Sequence, residues 1–212
     1  MFNLPKSTEV NIRITKEQLY QQGSLSPKEK DLLKDNVEII YWRNKISIDT
    51  LNVSVGESMV EFQIFEVRMK SQIIQKRILQ SIQKVIPYPI VFVIGYNADV
   101  QIWIEIDDVF YHTEWMTKEK TTIMIHGINI DVMYENLIRQ IADGRLSISD
   151  NIHTAVAQDQ HRQALLKKIE QLEKKARIEK QPRKKWELVK ETEKLMDALN
   201  TYNKNRGDLL DS

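Results

Sequence analysis

"VEFQIFEVRMKSQIIQKRILQSIQKVIPYPIVFVIGY", residues 60–96, carries three patterns in succession. Residues 60–70 read as a strand, so Glu66, Arg68 and Lys70 share a face, because side chains alternate along a β-strand. Residues 71–86 place Ile73, Ile74, Arg77, Ile78, Ser81, Ile82 and Val85 at helical spacing, a mostly apolar stripe made to lie on a sheet. Pro87 and Pro89 then end the helix and launch "IVFVIGY", 90–96, whose continuous apolar run suits an interior strand covered on both faces. Strand, helix and strand in this order predict a parallel pair with a right-handed crossover, and so a mixed α/β sheet.

The pattern extends in both directions. Ser26, Pro27 and Glu29 mark a helix start. "VEIIYWRNKIS" (37–47) and "DTLNVSV" (49–55) read as strands, with a turn at 56–58. Beyond the central unit, "DVQIWIEI" (99–106) puts Val100, Ile102, Ile104 and Ile106 on one face. "TTIMIHGINI" (121–130) reads as a further strand, and "DVMYENLIRQIA" (131–142) as a helix ended by Asp143-Gly144.

From about residue 148 the character changes. A polar connector over 148–157 leads into two helical stretches broken at Gln181-Pro182. In the first, Leu165, Ile169, Leu172 and Ala176 follow a heptad seam; in the second, Val189, Met196 and Leu199 do so, with Thr192 interrupting and Trp186 at the rim. The expected organisation is an α/β (α+β) mixed-sheet domain over 1–147, the connector, a helical hairpin or coiled coil over 158–205, and a tail over 206–212.

Composition narrows the function classes. The chain has 212 residues and a formal net charge of +1, from 31 basic and 30 acidic residues, so bulk charge does not make it a polyanion binder. It has no cysteine, which excludes disulfides and thiolate metal sites and is compatible with a reducing cytoplasm. The longest apolar run, 90–96, is far short of the roughly 20 residues a membrane-spanning helix needs. No phosphate loop, dinucleotide fingerprint or G-x-S-x-G elbow is present, and 6 glycines leave little material for one.

Three groups of residues could carry chemistry. Metal-dependent nucleases of the PD-(D/E)XK type set an acid on one strand and a Glu-x-Lys pair on the next, with the carboxylates holding magnesium. Asp49, Glu66 and Lys70 are the candidates for such a set, but Arg68 stands where the lysine belongs, and a guanidinium does not replace an ammonium there. The expectation is therefore a solvated strand face with no catalytic residue and no cofactor. "YWRNK" (41–45) mixes aromatic and basic groups that could meet nucleic acid, but reads better as a strand with Trp42 buried and Arg43 and Lys45 outside. His112, His126, His153 and His161 make no metal-binding pair; His112 and Glu114 could share a strand face, and a surface hydrogen-bonded histidine is the better reading. The third group is the hairpin tip. Residues 167–185 hold nine cations against three acids, and Lys174, Lys175, Arg177, Lys180, Arg183, Lys184, Lys185 and Trp186 are candidates for contact with DNA or an acidic partner.

"FNLPKSTEVNIRI", "EIIYWRNKIS", "FEVRMK", "IPYPIVFVIGY", "YHTEWM", "YENLIRQIA" and "LEKKARIEKQPRKKWEL" run in this order nearly end to end. Together they resemble the family called domain of unknown function 4391. The resemblance implies a bacterial protein found beside helicases and DNA methyltransferases in restriction-like or phage-defence gene clusters, and it carries no catalytic residue. The expected role is a cytoplasmic, non-catalytic accessory subunit that docks such a helicase or methyltransferase, or its own copy, through the hairpin, with DNA contact at the tip as an alternative.

Overall fold

The computed structural model describes residues 2–148 and 150–207, with side chains described up to residue 202. The chain divides into two compact units, residues 1–144 and 145–212.

The first unit is built on a sheet of seven strands among the described residues. These are β1 (Glu9–Ile14), β2 (Val37–Ser47), β3 (Glu61–Met69), β4 (Ile90–Tyr96), β5 (Asp99–Ile106), β6 (Val109–His112) and β7 (Met116–Thr117). Their order is β1-β2-β3-β4-β5-β6, and β7 pairs with β5 on the edge that β6 also uses. All neighbours are antiparallel except β3 and β4, which run parallel in the register Phe65↔Phe92 and Arg68↔Gly95. The crossover between them contains the expected helix, α4 (Lys76–Gln83), shorter than its stripe because residues 71–75 do not join it.

Helices cover both faces. On one side α1 (Lys16–Gln22), α2 (Pro27–Asn36) and α4 bring Leu19, Leu33, Ile78 and Ile82 onto Phe65, Val67 and Phe92. Thr15 and Ser26 start α1 and α2 with full capping boxes, each closed by the side chain three residues on. On the other side α5 (Ile130–Ala142) lies over β5 and β6, with the Tyr134 ring 5.2 Å from that of Phe62 and its hydroxyl donating to the Glu105 carbonyl. Burial on both faces explains why Gln101 and Trp103 of β5 are as hidden as Ile102 and Ile104. Asp143 ends α5 in the left-handed region at φ 47, followed by Gly144 at φ 71, as that dipeptide predicts.

Two predicted strands are not strands. The start of "DTLNVSV" belongs to a short helix, α3 (Ile48–Leu51), because Ser47 and Thr50 make a reciprocal cap and Asn52 turns left-handed at φ 53. Most of 121–129 is irregular, joined to its surroundings by Ile123 donating to the Phe2 carbonyl and by a single parallel bridge between Asn129 and Ser54. Conversely, β1 and α1 are not marked by the apolar pattern: β1 is an edge strand with no buried residue and no clear alternation. A bulge interrupts it between Glu9 and Ile12, where Asn11 is left-handed at φ 52.

The second unit holds α6 (Ile152–Ile178) and α7 (Pro182–Gly207). The expected connector over 148–157 is shorter than predicted, since Asn151 caps His153 and starts α6 there. Of the expected tail, residues 208–212 lie outside the described residues. The α6 seam holds, with Ile169, Leu172 and Ala176 buried and Leu165 half-buried. In α7 Leu199 keeps its place, but Leu188 and Leu195 stand where Val189 and Met196 were expected: Leu188, Leu195, Leu199 and Tyr202 are half-buried and Thr192 is buried, at heptad spacing, while Val189 and Met196 are 40% and 38% exposed. Thr192 tolerates this position because its hydroxyl donates to the Leu188 carbonyl at 2.9 Å. No helix among the described residues is long and apolar enough to cross a membrane.

The observed seam separates two substitutions. Leu172→Ala is expected to remove about 2–5 kcal/mol from the hairpin's local stability, and Met196→Ala no more than about 0.5 kcal/mol. Amide hydrogen exchange along α6 and α7 in the full chain measures both.

Candidate functional site

Glu66 is the centre of the first unit's polar chemistry. It stands on the β3 face opposite Phe65 and Val67, at 1% exposure, which corrects the expectation of a solvated strand face. Three cations reach it. Arg43 donates from Nε to Oε2 at 2.7 Å, with its Nη2 at 2.6 Å from the same oxygen. Lys118 Nζ lies 2.5 Å from Oε1, and Arg68 Nε lies 3.4 Å from it.

Local backbone explains each approach. In β2 the register runs Trp42↔Phe65 and then Asn44↔Ile64, so Arg43 is the extra residue of a β-bulge. Arg43 shares the face of Tyr41, which pairs with Glu66, and its guanidinium also lies 4.1 Å from the Tyr41 ring centre. Alternation sets Arg43 opposite Trp42, but that face is covered: only 12% of the side chain is exposed, which corrects the expectation that it lies outside. Trp42, on the other face, stacks against Phe65 with ring centres 6.4 Å apart. Lys118 follows β7, and its amide donates to the Ala98 carbonyl, which holds it over the β4–β5 turn.

Burial pushes the Glu66 pKa up, but hydrogen bonds and charge from Lys118 and Arg43 outweigh it, leaving the carboxyl below the ordinary glutamate range. Both oxygens are committed. A general acid or base needs a free carboxyl, and a magnesium ion needs open carboxylate oxygens.

The other proposed nuclease residues do not join it. Asp49 sits in α3, beyond the Ser47↔Glu61 pair, while Glu66 lies five residues further along β3, roughly 17 Å at the strand rise. Lys70 is past the end of β3, with Nζ donating to the Lys34 carbonyl at 2.9 Å. Asp49, Glu66 and Lys70 are thus held apart and do not form a metal set, and among the described residues no group of three or more His, Asp or Glu is placed to hold a metal ion. His112 stacks on Trp103 with ring centres 4.3 Å apart, and its Nδ1 lies 3.1 Å from Gln101 Nε2. Lys45 pairs with Glu61 at 2.7 Å.

Beside Glu66 the sheet opens into a polar recess of about 680 Å³, at the carboxyl ends of β3 and β4. Arg68, Lys70 and Lys118 line it, together with Gly95, Tyr96 and Asn97. Arg43 and Lys118 were the partners missed in the sequence, and the bulge had no local signal.

In the second unit, part of the tip charge is consumed internally. Lys174 pairs with Glu170 at 2.5 Å, Arg183 with Glu187 at 3.5 Å, and Arg177 with Glu173 at 4.0 Å. Lys175, Lys180, Lys184 and Lys185 are exposed with no acid within ion-pair distance among the described residues. Trp186 is 61% exposed, with the Lys190 ammonium 4.8 Å from its ring centre, so it does not close the seam. Val189 and Met196 border a shallow groove of about 400 Å³ within the hairpin.

The geometry defines a mixed-sheet α/β domain whose strand-face carboxylate is tied off by cations, in one chain with a basic helical hairpin. The chain belongs to the family described as domain of unknown function (DUF4391), whose profile matches residues 2–199. No curated protein and no solved structure matches it.

Two measurements test the role of Glu66. Glu66→Ala, which strands Arg43 and Lys118, is expected to cost about 3–5 kcal/mol in urea unfolding. Because the folded pKa is depressed, its contribution is fully present above the ordinary glutamate value of about 4.3 and is lost as pH falls through the folded value. Wild-type stability should therefore drop on acidification below that value, and the variant's should drop less.

Proposed function

We propose that this chain is a non-catalytic accessory subunit of a bacterial, cytoplasmic DNA-targeting complex of the restriction-like or phage-defence kind. In this reading the hairpin docks a helicase or DNA methyltransferase. The observation that carries it is the second apolar stripe of α7. The inward stripe of Leu188, Leu195 and Leu199 is used in the hairpin, while Trp186, Val189 and Met196 remain 61%, 40% and 38% exposed. A stripe of large apolar side chains along an exposed helix is suited to bury against another protein. The committed state of Glu66 supports a binding role over a catalytic one, and the family resemblance supplies the setting.

Docking through this stripe has a direct test. Val189→Asp combined with Met196→Asp in the full tagged chain is expected to abolish co-purification of a helicase or methyltransferase from the native host, with the circular dichroism spectrum unchanged. Retention of that partner would overturn the reading, as would an exposed stripe that pairs only with a second copy of this chain in sedimentation.

The unpaired lysines at the tip favour a second reading, direct contact with DNA phosphates. Each phosphate neutralised releases counterions, giving a log–log salt slope of about −0.9 per contact on duplex DNA. Reversing Arg183, Lys184 and Lys185 to Glu is expected to flatten the slope by about 2 to 3, read by fluorescence titration. An unchanged slope, or no binding at low salt, would remove the tip from DNA recognition.

A further inference from the structure

The recess beside Glu66 has the makings of a site that neither the hairpin reading nor the family membership assigns. Open sheets with a parallel pair hold ligands at the carboxyl ends of the strands, and this recess lies at the ends of β3 and β4. Its volume of about 680 Å³ falls within the range of small-ligand sites, roughly 300–1,000 Å³.

The charges in it are unevenly committed. Arg43 and Lys118 between them already satisfy the Glu66 carboxylate. Arg68 therefore contributes little to that ion pair: only its Nε approaches, at 3.4 Å, and 46% of the side chain is exposed. Neither of its Nη groups has a partner among the described residues, which leaves the outer fork of a guanidinium directed at the recess wall. Lys70 is bound through one carbonyl only, so its ammonium keeps further N–H donors. Glu38 and Asp99 are the remaining acids of the lining, both exposed at its rim.

Space is provided by Gly95, which stands directly across from Arg68 in the register. A methyl group there would touch nothing nearer than Arg68 Cγ at 3.8 Å, so the strand leaves room beside the guanidinium. A planar fork with adjacent ammonium donors matches the oxygens of a phosphate, which accepts two parallel N–H bonds from one arginine. Tyr96 and Asn97, on the same wall, offer an aromatic face and an amide to whatever the phosphate carries.

We propose that this recess binds a phosphate monoester, with Arg68 as the bidentate anchor, Lys70 as the second cation and Glu66 as the group that positions Lys118 in its wall. The shared chemistry is the terminal phosphate, which a free mononucleotide and a 5′-phosphorylated nucleic-acid end both present.

Calorimetric titration of the full chain distinguishes the sources. The probes are inorganic phosphate, adenosine monophosphate, a 5′-phosphorylated oligonucleotide and its 5′-hydroxyl counterpart. Saturable binding of at least one phosphorylated probe is expected. Preference for the mononucleotide would identify a small-molecule site, and preference of about tenfold for the phosphorylated over the hydroxyl oligonucleotide would identify a strand end. Arg68→Gln should weaken the phosphorylated probe by about tenfold or more, since it removes a charge-assisted pair, at an unchanged melting temperature. Gly95→Val, which fills the space without altering charge, should weaken it too. Failure of every phosphorylated probe to bind the wild type, or equal binding by wild type and both variants, would overturn the proposal. Neither result bears on the hairpin, whose partner is read by co-purification.

Discussion

A carboxylate at 1% exposure has lost its water, and the several kcal/mol that this costs must be returned by cations held close. Glu66 imposes that requirement on two other segments. β2 answers with Arg43, the extra residue of its bulge. The segment after β7 answers with Lys118, itself held by the Ala98 carbonyl. The same demand draws the strand preceding the crossover and the edge region beyond β5 to one point. The polar character of this end of the sheet, including the recess, follows from it.

The central sheet was legible because its strands are covered on both faces or alternate cleanly. Val37–Ser47, Ile90–Tyr96 and Asp99–Ile106 match the predicted runs residue for residue. Apolar patterning reports burial, and where burial is weak it reports little. The edge strand β1 has no buried residue, and residues 121–129 look strand-like while forming almost no ladder. Capping chemistry overrode β-propensity at 48–51, where Ser47 and Thr50 close on each other. A threonine in a strand-like run is ambiguous until its hydroxyl's partner is known.

The candidate site was half legible. Glu66 and Arg68 were visible as neighbours on one face, but the meaning of that face depended on Arg43 and Lys118, 23 and 52 residues away along the chain. Composition cannot tell a wet strand face from one drained by distant cations. The hairpin shows the same limit in another form. Val189 and Leu188 are adjacent apolar residues, as are Met196 and Leu195, and a heptad fits either member of each pair. Thr192 and Leu199 fit both registers, and the structure takes the one in which Leu188 and Leu195 are half-buried on either side of the buried Thr192. A polar residue that seemed to break the seam is one of its members.

The bulge in β1 bears on how this protein behaves at high concentration. β1 is the outermost strand on its side of the sheet, and the free edge of such a strand is a template on which a foreign strand can add. Asn11, turned left-handed, breaks the row of backbone groups between Glu9 and Ile12, and Glu9 and Arg13 place opposite charges along the rest. An incoming chain would meet a kinked, charged border with no run of aligned donors and acceptors. The irregularity that hid this strand from pattern reading thus guards the sheet against edge-to-edge aggregation.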